Sequence, residues 1–323
     1  MTQTAAAPLA LAEVSALANQ MKQSIGSVIE GKPHQIHMAI LVLLAQGHLL
    51  LEDVPGVGKT VLAKALGRSI SGAVSRIQFT PDLLPSDVTG VSVFNQQSRE
   101  FEFKPGGIFA NIVLGDEINR ASPKTQSALL EAMAEGQVSA DGQTYLLKRP
   151  FMVVATQNPI EMEGTYPLPE AQRDRFMARI EMGYPSHQAE MAMLTAQTGG
   201  DKLATIRPVT DVVHVERAIA TMRGIYVAPV INDYIVRLVG STRTDPELRL
   251  GAGPRACVHL MRAARVEAAL QGRDYVIPED VTTLAVPLLA HRVLLTVDAQ
   301  IARQSNEAVI TRIVTTTQPP HRS

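Results

Sequence analysis

Short apolar runs alternate along the first part of the chain with segments whose apolar residues have helical spacing. Short apolar runs at residues 48–52 and 151–156 are typical of buried strands. The segments 60–70 and 122–135 instead carry apolar residues three and four positions apart, which predicts helices. Because strands that alternate with helices form parallel sheets with helices on both faces, we predict an α/β fold for this part.

The pattern changes near Gly183-Tyr184-Pro185. Beyond this point only helical spacing occurs, at residues 188–197, 211–222, 227–241, 254–271 and 278–291. We therefore expect an α/β domain with N-terminal helices over residues 1–184 and a helical lid domain over residues 185–323. Residues 315–323 are expected to form a frayed polar tail.

Two segments of the α/β part alternate strictly between apolar and polar residues. Residues 91–94 and 100–103 flank a polar turn, and residues 137–140 and 144–147 flank Asp141-Gly142. Each pair predicts a β-hairpin inserted into the α/β domain. Neither hairpin carries residue types suited to catalysis.

A glycine-rich turn follows the first predicted strand, with the sequence Val54-Pro55-Gly56-Val57-Gly58-Lys59-Thr60. Such a turn before a helix directs backbone N–H groups and the positive helix end at an anion. Lys59 adds a charge for the outer phosphates, and the Thr60 hydroxyl is a ligand for Mg²⁺. With Val61, these residues form the predicted nucleotide contacts of a phosphate-binding loop.

One position departs from the common pattern G-x-x-x-x-G-K-[ST], because Asp53 stands where the first glycine is expected. Residues 55–60 still supply the tight turn, which indicates a variant loop. The alternative is a strand–turn–helix connection with a coincidental Lys-Thr pair.

A second buried run, residues 112–117, ends in Asp116-Glu117 and argues against that alternative. Asp116 can hold the metal through water, and Glu117 can polarise an attacking water molecule. The loop and the acidic pair together predict hydrolysis of a nucleotide such as ATP, with Mg²⁺ as cofactor.

Composition limits the partners and the compartment. The formal net charge is −1 and no basic run occurs, so the sequence gives no support for nucleic-acid binding. Cys257 is the only cysteine, which excludes an internal disulfide and suits a reducing cytoplasm. The first basic residue is Lys22, and the longest apolar stretch, 39–45, is too short for a bilayer. We therefore expect a cytoplasmic protein without a membrane span.

The order and spacing of the motifs resemble the AAA+ ATPases and, more narrowly, the MoxR family. Besides residues 51–60, the matching stretches are 78–87, 116–121, 155–159, 163–172, 174–176 and 272–276. Asp53 is itself common in that family's loop. The resemblance implies a homo-oligomer, commonly a hexameric ring, that binds ATP and Mg²⁺ and acts as a chaperone-like remodeller. It also implies partners with von Willebrand factor A domains and a role in maturing metal- or cofactor-containing enzymes.

The resemblance also implies roles for single residues. Asn158 matches the first sensor of the γ-phosphate, although an ordinary turn residue before Pro159 is the alternative. Arg175 matches the arginine finger that reaches a neighbour's nucleotide, with Arg173 as a rival and a surface ion pair as the alternative. Arg255 matches the second sensor, expected to reach the γ-phosphate in its own subunit.

The two hairpins match insertions of this clade, so the resemblance implies that their tips face the ring's pore or a partner; plain surface loops are the alternative. Loss of the γ-phosphate is expected to let the lid rotate against the core. Three other functions stay open: a magnesium-chelatase-type ATPase subunit, a nucleotide-gated binding module that does not hydrolyse, and a small-molecule kinase. Glu117 argues against the binding module that does not hydrolyse. A small-molecule kinase would leave the paired hairpins unexplained.

Overall fold

The computed structural model describes residues 7–53, 57–158, 165–185, 187–188, 190–191 and 202–320. The strands are β1 (Leu49–Glu52), β2 (Val74–Gln78), β3 (Gly90–Asn95), β4 (Glu100–Pro105), β5 (Ile112–Asp116), β6 (Gln137–Ala140), β7 (Gln143–Leu146), β8 (Met152–Gln157), β9 (Ala178–Ile180), β10 (Leu248–Leu250) and β11 (Leu294–Leu295). The helices up to β9 are α1 (Leu11–Gly26), α2 (Pro33–Leu44), α3 (Lys59–Ser69), α4 (Pro85–Thr89), α5 (Pro123–Glu135) and α6 (Glu170–Arg173). Those after β9 are α7 (Val212–Arg223), α8 (Pro229–Thr244), α9 (Pro254–Leu270), α10 (Pro278–Leu289), α11 (Val297–Ile301) and α12 (Asn306–Thr316).

A five-stranded sheet in the order β2-β5-β8-β1-β9 forms the centre of the α/β part, and all its strand pairs are parallel. Its strands are apolar along their length because both faces are covered. Leu49 and Leu114 face one hydrophobic cluster, whereas Leu50 and Val113 face the other. The predicted parallel sheet is confirmed, and the ends of β1, β5 and β8 lie side by side at one edge.

The N-terminal helices α1 and α2 contact the lid as well as the sheet. The Ser15 hydroxyl donates to the carbonyl of Leu270 at 3.1 Å, and His37 pairs with Glu267 at 2.7 Å. Apolar residues of α1, α2 and the lid helices belong to one continuous core cluster. The division into residues 1–184 and 185–323 stays a prediction.

The lid is built from helices α7 to α12, with one small antiparallel pair, β10–β11, between them. Four of its predicted helices are present, and the fifth, 188–197, lies largely outside the described residues. The expected polar tail is shorter than predicted because α12 continues to Thr316, with the Ser305 hydroxyl capping its first turn. Within the described part of the chain, no helix has the length and apolarity needed to cross a bilayer.

Both predicted hairpins are present, as β3–β4 and β6–β7. They contact one another through Phe103 and Tyr145, whose rings stack with centroids 3.9 Å apart. At the free end of the first hairpin, Phe94 and Phe101 pack edge to face, and Phe101 keeps 73% of its surface exposed. The hairpins therefore form one joined projection from the α/β part.

Candidate active site

The phosphate loop leads from β1 into α3. Val54, Pro55 and Gly56 lie outside the described residues, so their predicted contacts stay predictions. Gly58 precedes the first helical residue and has a φ of 95°, a left-handed conformation that favours glycine. A Cβ built there would meet no atom within 4 Å. The backbone conformation therefore explains this glycine, and the space beside it is open.

Lys59 lies at the start of α3 among three acidic side chains. Its Nζ donates to the main-chain carbonyl of Asp53 at 2.7 Å. Burial lowers the pKa of the Lys59 ammonium, and the negative charges of Asp53, Asp116 and Glu117 act in the opposite direction. The helix start and the ends of β1 and β5 thus bring one cation and these carboxylates together.

Asp53 has a structural task that explains its place in the loop. Its Oδ2 accepts a hydrogen bond from the backbone N–H of Gly183, just beyond β9. Its own N–H donates to the carbonyl of Gln157 at 3.2 Å. A glycine here would lack the carboxylate that fastens the loop to the neighbouring strand end.

Asp116 is held from two sides. The Thr156 hydroxyl on β8 donates to its Oδ1 at 2.6 Å, and the Arg76 guanidinium on β2 donates to its Oδ2 at 2.7 Å. Thr156 also accepts the backbone N–H of Glu117 at 2.9 Å. The acidic pair is therefore fixed by strands on both sides of β5.

Glu117 has a φ of 57°, uncommon for a residue with a side chain. Its Oε2 accepts from the amide of Gln78 at 2.8 Å and from Arg120 at 3.2 Å. These donors stabilise a carboxylate whose side chain is 28% exposed. The left-handed turn and the two donors orient Glu117 at the carboxyl-end edge of the sheet.

The other residues predicted around the nucleotide lie at the same edge. Val57 is buried, while Thr60 and Val61 are half-buried in the first turn of α3. The Thr60 hydroxyl makes no hydrogen bond to any described residue, so it is available as a ligand. Asn158 follows β8 directly and is 6% exposed. A hydroxyl and a carboxylate, from Thr60 and Asp116, form the oxygen donor set that Mg²⁺ prefers, so these residues fit that ion.

The two candidate finger arginines lie at the opposite edge, where the strands begin. Met177 donates its N–H to the carbonyl of His48 at 2.8 Å, which fixes the segment before β9 beside the start of β1. Arg175 donates to the carbonyl of Leu130 in the second half of α5 at 2.7 Å. The Nε of Arg173 is buried without a hydrogen bond to the described residues. The four residues of β1, about 13 Å long, separate this edge from the phosphate loop.

Arg255 also lies at this amino-end edge. Its guanidinium donates to Oδ2 of Asp174 at 3.0 Å. Asp174 immediately precedes Arg175 in the chain. Asp174 is further bound by the buried guanidinium of Arg292, which also donates to the carbonyl of Phe176 at 2.6 Å. The expectation that Arg255 reaches the γ-phosphate of its own subunit does not match this position. Arg255 bonds to Asp174 at the amino-end edge of the sheet, whereas Lys59 lies at the carboxyl-end edge.

Sequence reasoning missed four residues of this arrangement: Arg76, Gln78, Thr156 and Arg292. Arg76 and Gln78 are two positions apart on β2, so they share a face, and the register pairs Gln78 with Asp116. Polar residues at alternate positions of an edge strand were the available signal. Arg292 follows α10, and local sequence gives no sign that it is 5% exposed.

Comparison with known proteins agrees with this architecture. Residues 48–178 match the model of the ATPase family associated with various cellular activities (AAA), and residues 240–313 match the AAA lid domain. A structure of a candidate ATPase from Cytophaga hutchinsonii superposes with a TM-score of 0.88 at 36% identity, covering 96% of this chain and 98% of that one.

Curated relatives cover nearly the whole chain. Chaperone MoxR1 from Mycobacterium tuberculosis is 42% identical over 91% of this chain and 80% of its own length. Protein MoxR from Methylorubrum extorquens is 32% identical over 86% of this chain and 88% of its own length. The uncharacterized protein YeaC from Bacillus subtilis is 49% identical over 92% of this chain and 93% of its own length. With its parallel sheet and helical lid, the chain belongs to the MoxR family of AAA+ ATPases.

Proposed function

We propose that this protein hydrolyses ATP and uses the energy to remodel partner proteins. The observation that carries the proposal is the convergence of Lys59 with Asp116 and Glu117 at one edge of the sheet. Nucleotide hydrolysis requires a cation that binds the phosphates, a carboxylate that holds the metal and a second carboxylate that activates water. Lys59, Asp116 and Glu117 can supply these three groups.

In the proposed reaction, Glu117 orients a water molecule toward the γ-phosphorus and accepts one of its protons. The water oxygen forms the new bond to phosphorus, and the bond to the oxygen that bridges the β- and γ-phosphates breaks, leaving ADP and phosphate. Gln78 and Arg120 hold the Glu117 carboxylate for this task. Lys59 and the N–H groups before α3 bind the phosphates, and Asn158 contacts the γ-phosphate.

Thr60 and Asp116 would hold Mg²⁺, which neutralises phosphate charge when bound. Arg76 donates only to Oδ2 of Asp116, and the other carboxylate oxygen, Oδ1, accepts from Thr156. The position of Arg76 supports a second role: it compensates the charge of Asp116 when the ion is absent.

Arg175 and Arg255 are proposed to act on the nucleotide of an adjacent subunit. Their shared position at the amino-end edge, joined through Asp174, supports this, because a head-to-tail contact brings that edge against a neighbour's phosphate loop. Repeated contacts of this kind close a ring, and we propose a hexamer.

The links between lid and core suggest where movement occurs. Arg292 is buried and bridges the lid to Asp174 and Phe176, which resists rotation of the lid within one subunit. We therefore propose that γ-phosphate loss moves neighbouring subunits relative to each other, in place of the expected lid rotation. The joined hairpins would carry that movement to a client.

The remodelling role is supported by the relatives named MoxR and Chaperone MoxR1, and we propose a partner with a von Willebrand factor A domain. We place the protein in the cytoplasm, as its single cysteine suggests.

An ATP-bound trap tests this role. Tagged Glu117→Gln protein, incubated with ATP and Mg²⁺, should retain a partner protein that Lys59→Ala protein, treated alike, does not. Retention of the same proteins by both variants would contradict a nucleotide-dependent remodeller.

A further inference from the structure

A groove on the lid lies outside the proposed ATP site. One face of α9 forms its first wall, and the end of α2 and the last turn of α7 form the second. Its volume is about 410 Å³. The contributing residues of α9 are spaced three and four apart, so two full turns of that helix face the groove: Val258, Met261, Arg262, Arg265 and Val266.

The groove is strongly positive. Arg223, Arg262 and Arg265 line it, and no acidic residue is among its lining residues. None of the three forms an ion pair with a described acidic side chain. Arg223 donates to the side chain of Gln46 at 2.7 Å, and the Nε of Arg265 is buried without a hydrogen-bond partner among the described residues. Three guanidinium groups that line one groove repel one another, and the Nε of Arg265 is an unsatisfied donor, so the groove favours an anionic ligand.

The accessible apolar lining of the groove comes from α9. Val258 is 43% exposed, and Met261 is partly exposed. Ile219, Met222 and Val266 lie beneath them, each with less than 5% of its surface exposed. A free phosphate would use the arginines and leave Val258 and Met261 in water. The lining therefore fits a ligand that carries an apolar side chain between negative groups.

We propose that this groove binds an acidic peptide segment of a partner protein, with an apolar side chain against Val258 and Met261 and carboxylates on the three arginines. Guanidinium groups bind carboxylates through paired hydrogen bonds, which fix the register of such a segment.

One segment by which a second copy of this chain could enter the groove is Glu100-Phe101-Glu102 on β4, where Phe101 is 73% exposed. Strand alternation places the ring of Phe101 on one face and both carboxylates on the other. Glu102 is also engaged by Asn95 at 2.6 Å. One groove cannot receive both faces of that strand.

The test uses the full-length protein and a short fluorescein-labelled peptide, Asp-Glu-Leu-Glu-Phe-Glu-Asp, followed by fluorescence anisotropy. We expect a micromolar Kd that weakens as NaCl rises from about 0.05 to 0.5 M. The double variant Arg262→Ala/Arg265→Gln should weaken binding by at least about tenfold. Arg249→Ala, at an exposed arginine of β10, should bind as the native protein does. Thermal unfolding verifies that each variant folds.

Several results would overturn the proposal. One is equal binding by native protein and the double variant; another is undiminished binding of a peptide with serine in place of leucine and phenylalanine. Displacement of the peptide by inorganic phosphate at equal concentration would assign the site to phosphate. A change in oligomeric state of the double variant in sedimentation, without loss of peptide binding, would assign the groove to a second copy.

Discussion

The side-chain amide of Gln78 donates a 2.8 Å hydrogen bond to Oε2 of Glu117, across the boundary between β2 and the end of β5. Through this bond, a residue of the edge strand β2 orients the carboxylate that is proposed to activate water. Because β2 leads, through α4, into the first hairpin, a force on that hairpin can reach Gln78 through the chain and Glu117 through this hydrogen bond.

Gln78→Ala should lower kcat for ATP hydrolysis by about tenfold, since Glu117 loses one of its two orienting donors. The Kd for ATP should not change, because the Gln78 side chain bonds to Arg76 and Glu117 and to no described residue of the phosphate loop. Steady-state kinetics and nucleotide titration measure the two quantities. Gln143→Ala, at an exposed position of β7, is the matched control. A loss of ATP affinity with unchanged kcat would refute the positioning role.

Mixed assemblies test the position of the arginines. Arg175→Ala and Glu117→Gln should each be inactive alone. Mixed as equal amounts of dissociated subunits, they should recover about a quarter of the native rate, because random assembly pairs intact Glu117 with intact Arg175 at one contact in four.

The same experiment with Arg255→Ala separates two mechanisms. Recovery with Glu117→Gln is expected if Arg255 serves the adjacent subunit. If Arg255 served its own subunit, every site with an intact Glu117 would lack it, and no mixing ratio would restore phosphate release.

The Arg292→Met variant should destabilise the protein by about 3–5 kcal/mol, because Asp174 loses a buried partner and the carbonyls of Phe176 and Leu288 each lose one donor. Arg255→Ala, whose side chain is 44% exposed, should cost less than about 1 kcal/mol. Urea unfolding followed by circular dichroism compares them. Equal costs would mean that the buried link between lid and core is not a stabilising element.

Acid should destabilise the fold through buried histidines. Burial lowers the pKa of His48 to about 4, and it also lowers the pKa values of His259 and His291. The unfolded chain binds a proton at His48 below about pH 6.5, while the folded chain does so only near 4. Stability is therefore expected to fall as pH decreases from about 6.5 to 4, by about 1.4 kcal/mol per pH unit for each such histidine.

Substitution of His48 measures its contribution to the pH dependence of the unfolding free energy. His48→Gln should reduce the slope of unfolding free energy against pH by about one proton in this range. His214→Gln, at a partly exposed position of α7, serves as the control. The same slope in native protein and His48→Gln would mean that His48 binds its proton equally well in the folded and unfolded chain, which would contradict the lowered pKa.

Local sequence carried most of the information on the α/β fold. The buried strand ending in Asp116-Glu117 and the turn before Lys59 were recognisable because strand burial and turn chemistry depend on neighbours in the chain. The hairpins were equally clear, since strict alternation around Asp141-Gly142 is a local signal.

Long-range contacts were beyond that reasoning. Asp174 joins Arg255 and Arg292, which are more than eighty residues away in sequence, so no local pattern indicated that Arg255 lies at the amino-end edge. The bond from Thr156 to Asp116 also depends on which strands are neighbours. The α12 helix is different, because a serine at position 305 before the helix is a local start signal that the sequence analysis did not use.

The most direct measurement of the central claim is phosphate release by purified protein given ATP and Mg²⁺, with nucleotide binding measured in parallel. Native protein should hydrolyse ATP; Glu117→Gln should bind ATP but hydrolyse it at least about a hundredfold more slowly, and Lys59→Ala should lose binding. Hydrolysis by Glu117→Gln at the native rate, or none by native protein that binds ATP, would contradict the proposed reaction.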